Sequence, residues 1–224
     1  MKTLLLINAS GRVSRSITRQ LTGRFANAWQ QQHPDGKVIH RDVGLNPPPP
    51  VNEDWIAGAF GDPQSLTAGQ ARALETSNTL IEEIEKADLI AIGSPMYNFG
   101  MPSPLKAYID QIVRVGRTFE FDPTNTESPY LPLLKPKPVV IITSVGDGAM
   151  QMGGSLAHLN FLEPHLATVF GFIGFTDMHF VRAGYDEYQD DRFRKSLVNA
   201  EAEVDRVVGA LSESREEAGV AELV

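Results

Sequence analysis

Five expected strands separated by stretches of helical spacing predict an α/β protein, with one doubly wound, five-stranded parallel sheet carrying helices on both faces. Two observations carry this prediction. The runs at 3–8, 89–93 and 139–143 are almost unbroken in apolar residues, the pattern of strands buried on both faces. Between the runs, apolar residues recur every three or four positions, as on a helix with one buried stripe.

The first strand, TLLLIN at 3–8, leads to Ile17, Leu21, Phe25, Ala28 and Trp29 at helical spacing. Weak alternation over 37–42 reads as the second strand. The four consecutive prolines Pro47 to Pro50 read as a stiff extended spacer, because proline lacks the amide that a helix or central strand needs. Leu74, Ile81 and Ile84 mark a helix ending near Lys86, and the third strand follows at 89–93. Leu105, Ile109, Ile112 and Val113 give the next helix, entered through Pro102 and Pro104. Residues 118–134 hold three prolines, with Phe119 and Phe121 alternating, and read as irregular. A strand at 139–143, a helix over 160–170 and a last strand at 175–181 follow. Phe193, Leu197, Ala200, Val204, Val207 and Leu211 mark the final helix. The expected organisation is one domain over 1–211, with insertions near 45–70 and 118–136 and a charged, frayed tail over 212–224.

A net charge of -8 and a pI near 5.1 argue against generic nucleic-acid binding and against docking on anionic membranes. The absence of cysteine excludes disulfides, iron–sulfur clusters and thiol catalysis. Only four strongly apolar residues precede Asn8, too few for a signal peptide, and the apolar stretch 161–181 holds Glu163, His165 and Asp177. A cytoplasmic protein is expected. The five histidines lack ligand-like spacing, so no metal site is expected, and no Gly-x-Ser-x-Gly elbow suggests hydrolysis.

Ligands of open α/β sheets sit beyond the carboxyl ends of the strands. The first such loop, 9–18, carries Ser10, Ser14, Ser16 and Thr18 where a helix opens. Hydroxyls, amides and a helix N-terminus together attract an anion, although Ser14 or Ser16 could simply cap the helix. Gly-x-Gly-x-x-Gly and Gly-Lys-Ser/Thr are both absent, so a single terminal phosphate suits the loop better than a pyrophosphate. The third strand runs into Ser94-Pro95-Met96-Tyr97-Asn98-Phe99-Gly100-Met101-Pro102, which suits a flat, partly polar ring such as a flavin. The loop Ser144-Val145-Gly146-Asp147-Gly148 would neighbour it, its amides within reach of the ring's pyrimidine edge. Phe60, Phe99, Phe119 and Phe121 fall outside the expected elements and are candidates to line a pocket for flat apolar substrates.

Ser10 with Ser16-Ile17-Thr18, the motif from Ser94 to Pro102, and Phe170-Gly171-Phe172-Ile173-Gly174 together resemble the bacterial FMN-dependent NADH:quinone oxidoreductases, also called azoreductases. The resemblance runs from the first strand to the last helix. It implies a flavodoxin-like fold of strand order 2-1-3-4-5 and a homodimer with one FMN per subunit near the interface. It implies that Ser10, Ser16, Ile17 and Thr18 hold the phosphate end, that Met96, Tyr97, Asn98 and Phe99 lie along the ring, and that Ser144, Val145, Gly146 and Asp147 lie near its pyrimidine edge. Many relatives read Ser-Arg-Gly-Gly there; this chain reads Ser-Val-Gly-Asp. Phe119 and Phe121 would serve the partner subunit. The implied reaction is two-electron reduction of quinones, and cleavage of aromatic azo compounds, with NADH as donor and ping-pong kinetics. Flavin N5 carries the hydride, so no catalytic side chain is required. The rival reading is a non-catalytic flavodoxin-like electron carrier.

Overall fold

A computed structural model describes residues 1–221. Strands β1 (Thr3–Asn8), β2 (Lys37–Asp42), β3 (Leu89–Pro95), β6 (Val139–Ser144) and β7 (Met178–Ala183) form one parallel sheet of order β2-β1-β3-β6-β7. Helices α1 (Ile17–Gln32), α2 (Glu53–Phe60), α3 (Ala68–Lys86), α4 (Ser103–Ile112), α5 (Leu162–Phe172) and α6 (Asp191–Ala221) connect and flank it. A separate antiparallel hairpin pairs β4 (Phe119–Phe121) with β5 (Tyr130–Pro132).

Strand alternation explains the two cores. Leu5, Ile7, Ile90, Ile92, Val139 and Ile141 point to one face, where α3, α4 and α5 supply Ile81, Ile109 and Phe170. Leu4, Leu6, Leu89, Ala91, Val140 and Ile142 point to the other, against Leu21 and Phe25 of α1 and Val204 and Val207 of α6.

Several expectations need correction. The insertion near 45–70 contains α2, capped by Asn52, whose side chain accepts from the Trp55 amide. Buried Gln111 of α4 accepts from Trp55 Nε1 (2.9 Å) and donates to the Pro49 carbonyl (2.8 Å), pinning the proline spacer to the body. Phe60 therefore ends a helix, and Phe119 and Phe121 lie in a strand; none of the three belongs to irregular chain.

The last strand begins at Met178 rather than 175 because α5 ends in a Schellman turn. Gly174 (φ 107) donates to the Gly171 carbonyl, Phe175 donates to the Phe170 carbonyl, and the two rings stack 6.3 Å apart. Phe175 is buried as the turn's apolar clasp, not as a strand residue. The expected tail is helical as far as Ala221, and residues 222–224 lie outside the described residues. Among the described residues no helix is long and apolar enough to cross a membrane, and no group of three or more His, Asp or Glu could hold a metal.

Candidate active site

The carboxyl ends of β1, β3 and β6 meet at a cleft of about 170 Å³. Its lining includes Ser10, Ser16 and Ile17 from the first loop, Met96 and Tyr97 from the second, and Ser144, Val145 and Gly146 from the third. Three stretches far apart in sequence therefore converge where the sheet order predicts a ligand. A larger open groove of about 850 Å³ lies between α1 and α6, lined by solvated polar groups such as Arg24, Gln31, Glu201 and Asp205. Arg19 reaches the first loop from behind, but none of the groove's lining residues lines the smaller cleft, where the three loops converge, so the chemistry belongs there.

The first loop leaves β1 with the Ala9 amide bonded to the Gly93 carbonyl. Ser10 is buried, and its hydroxyl accepts from the Arg12 amide (3.2 Å). Ser16 is the N-cap of α1, accepting from the Arg19 amide (3.3 Å) and lying 3.2 Å from the Thr18 hydroxyl. Capping and anion binding are thus compatible, because the Ile17 and Thr18 amides stay without intrahelical acceptors. The first turn of α1 holds no acidic residue, which leaves the positive end of the helix dipole for an external anion. Thr18 itself is buried beneath the cleft rather than on its wall.

In the second loop, Tyr97 and Gly100 exchange backbone hydrogen bonds of 2.9 and 3.0 Å around Asn98 (φ 47) and Phe99 (φ 70). Two successive left-handed residues define a type I′ turn, which Asn tolerates and Phe does not favour. The Phe99 carbonyl accepts from Phe161, and the Met96 amide donates to the Ser144 carbonyl (2.8 Å), joining the second loop to the third. Asn98 and Phe99 stand at the turn's tip, outside the cleft lining.

In the third loop, Val145 is buried and donates to the Ala183 carbonyl. Asp147 caps a short 3-10 turn over Gly148–Met150, accepting from Ala149 N (2.9 Å), and its other oxygen accepts from the Tyr188 hydroxyl (3.1 Å). The carboxylate that departs from the Ser-Arg-Gly-Gly pattern is thereby committed to local structure. That bond also raises the Tyr188 pKa, since ionising the phenol would forfeit it. Phe60, Phe119 and Phe121 do not line the cleft.

The sequence reading missed a fourth contributor, the loop between β7 and α6. Asp186 and Glu187 line the cleft, Asp186 lies 3.8 Å from Arg12, and Glu187 donates its amide to the Gly146 carbonyl. The carboxyl-end rule that found the other loops would have pointed here too, because β7 is parallel to β6. Arg19 and Asp42 behind the first loop left no such signal, because they lie 23 positions apart.

The Flavodoxin_2 family model, described as a flavodoxin-like fold, matches residues 2–207. The chain is 49% identical over 212 residues to an FMN-dependent NADH:quinone oxidoreductase from Opitutus terrae, covering 95% of this chain and 99% of that protein. It is 38% identical to an FMN-dependent NADH:quinone oxidoreductase 2 from Idiomarina loihiensis, with 95% and 91% covered. Among solved structures, an azoreductase from Bacillus anthracis superposes with a TM-score of 0.83 at 24% identity, over 93% of this chain and 99% of that one.

Proposed function

Because the chain belongs to the flavodoxin-like family and, within it, groups with the FMN-dependent NADH:quinone oxidoreductases, we propose that it is an enzyme of that activity. It reduces quinones by two electrons and also cleaves aromatic azo compounds reductively, with NADH as donor. The observation that carries this reading is the single cleft that joins a hydroxyl-and-amide anion site to a Met–Tyr wall and a glycine-containing edge. These residues fit FMN: a phosphate needs donors and positive potential, and a flavin ring needs apolar cover with polar groups at its rim. Bound FMN would supply the two-electron transfer from NADH to the acceptor.

The chain's own groups have distinct tasks in this reading. The Ser10 and Ser16 hydroxyls, with the Ile17 and Thr18 amides, hold the phosphate. Met96 and Tyr97 flank the ring, with Asn98 and Phe99 reaching it from the turn. Backbone groups of 144–147 meet its pyrimidine edge. Azo reduction also consumes protons, which water can deliver to the open cleft. The unit of function is a homodimer with one FMN per subunit, in which Phe119 and Phe121 serve the partner's pocket. NADH use makes the cytoplasm the compartment of action.

The test is the visible spectrum of the purified protein, followed by anaerobic NADH and then benzoquinone. Flavin bands that bleach with NADH and return with benzoquinone are expected. Bands that persist with NADH would shift the reading to an electron carrier, and no bands even after FMN addition would remove it.

A further inference from the structure

We infer that Arg19 and Asp42 form a brace that orients the backbone amides of the first loop, and that this orientation sets the preference for a phosphorylated flavin. The inference rests on the FMN reading above. Arg19 spends its guanidinium on four acceptors. Nη1 and Nη2 donate to the two Asp42 oxygens (2.6 and 2.8 Å), Nη2 also to the Ser10 carbonyl (2.6 Å), and Nε to the Arg12 carbonyl (2.8 Å). Its side chain is mostly buried and takes no part in lining the cleft.

The two captured carbonyls decide where the neighbouring amides point. In a trans peptide the C=O and N–H are antiparallel, so the Gly11 and Val13 N–H groups face away from Arg19. Ser10, Arg12, Arg15 and Ser16 line the cleft, Val13 lines the open pocket that continues it past Arg12, Arg15, Asp186 and Glu187, and Arg19 lines the α1–α6 groove instead, which places the brace on the other side of the loop.

Asp42 is fixed in turn. It ends β2 in register with Asn8 of β1, and its Oδ1 also accepts from the Leu45 amide (3.1 Å). At Gly44 a Cβ would come within 2.3 Å of the Ser10 carbonyl oxygen, so the chain after β2 backs directly onto the braced peptide. A cation in the first turn of a helix opposes the helix dipole, and pairing with Asp42 neutralises it. Arg19 is therefore a positioning residue. Lysine, a single flexible donor centre, cannot span a carboxylate fork and two carbonyls together.

The test titrates apoprotein with FMN and with riboflavin, following flavin fluorescence. In Arg19→Lys, FMN affinity should fall roughly tenfold or more while riboflavin stays within about twofold, the scale of losing charge-assisted hydrogen bonds. Unchanged FMN affinity in Arg19→Lys would overturn the brace in favour of simple charge. Equal losses for both flavins would overturn it in favour of general stability. Should Arg19→Lys fail to fold, Asp42→Asn decides, because an unchanged FMN-to-riboflavin ratio there overturns the proposal. Inorganic phosphate gives a flavin-free readout through the amide NMR signals of Gly11 and Val13. Signals that move in wild type and not in Asp42→Asn support the brace even if no flavin binds, an outcome that removes the FMN reading alone. Equal movement in both proteins overturns the brace.

Discussion

Phe99 holds a backbone angle that phenylalanine disfavours (φ 70), and its side chain is about half exposed. An aromatic residue kept in the left-handed region costs about 1 kcal/mol relative to glycine, and its exposure returns little packing. Such strain points to a role for the ring at the site. Phe99→Gly should leave unfolding stability unchanged or raise it by about 1 kcal/mol in urea titrations, and should slow benzoquinone reduction. Full activity in the variant would remove Phe99 from the site. A second prediction at this scale concerns Asp42, whose carboxyl is held below its ordinary value of 3.8, chiefly by the hydrogen bond from Arg19. A lowered folded-state value means that the pair's stabilisation is complete at neutral pH and disappears as pH falls through that value. The stability difference between wild type and Asp42→Asn should thus be constant above about pH 5 and shrink in acid. A difference that grows in acid would contradict the pairing.

At the scale of elements, the glycines of the third loop exist because the loop between β7 and α6 lies on them. A Cβ at Gly148 would come within 2.3 Å of the Tyr185 ring, and Tyr185 itself has φ 69 and lies against Arg192. Gly148→Ala should therefore destabilise by about 1–3 kcal/mol in thermal or urea unfolding, as overpacking does. A neutral effect would mean that the β7–α6 loop is free to move. Strands β1, β3 and β6 were legible because each is an apolar run too continuous to be anything but buried, whereas β2 showed only as a weak alternation. Helix α2 was not, because four prolines precede eight residues of which Trp55 and Gly58 alone are buried. The hairpin was hidden by its three-residue strands and its prolines. The start of β7 was misplaced because a buried Phe175 reads alike in a strand and in a Schellman turn. In the site, the residues that line the cleft from 10–17, 96–97 and 144–146 were legible as loop chemistry. The brace and the β7–α6 carboxylates were not, since their roles come from contacts between distant segments.

For the whole molecule, the chain carries an aromatic surface that the other described residues leave largely uncovered. The hairpin of β4 and β5 pairs with no other strand among the described residues. Phe119 and Tyr130 pack on Phe172 at 4.9 and 5.4 Å, and Phe121 packs on Tyr130 at 5.3 Å. Phe121, Tyr130, Leu131 and Leu133 nevertheless stay largely exposed. A contiguous exposed apolar patch of this kind is the mark of an interface. The cleft meanwhile draws its apolar lining from Ile17, Pro95, Met96, Tyr97 and Val145, and Phe119 and Phe121 do not reach it from the same chain. A second copy of the chain would cover the hairpin and could bring its aromatics to its neighbour's cleft. Wild type should then sediment at twice the chain mass of 24.6 kDa. Tyr130→Asp, which places a charge in the patch, should sediment as a monomer and lose quinone reductase activity while binding FMN with little change, because the phosphate loop lies within one chain. A fully active monomer, in either protein, would overturn both the dimer and the shared pocket.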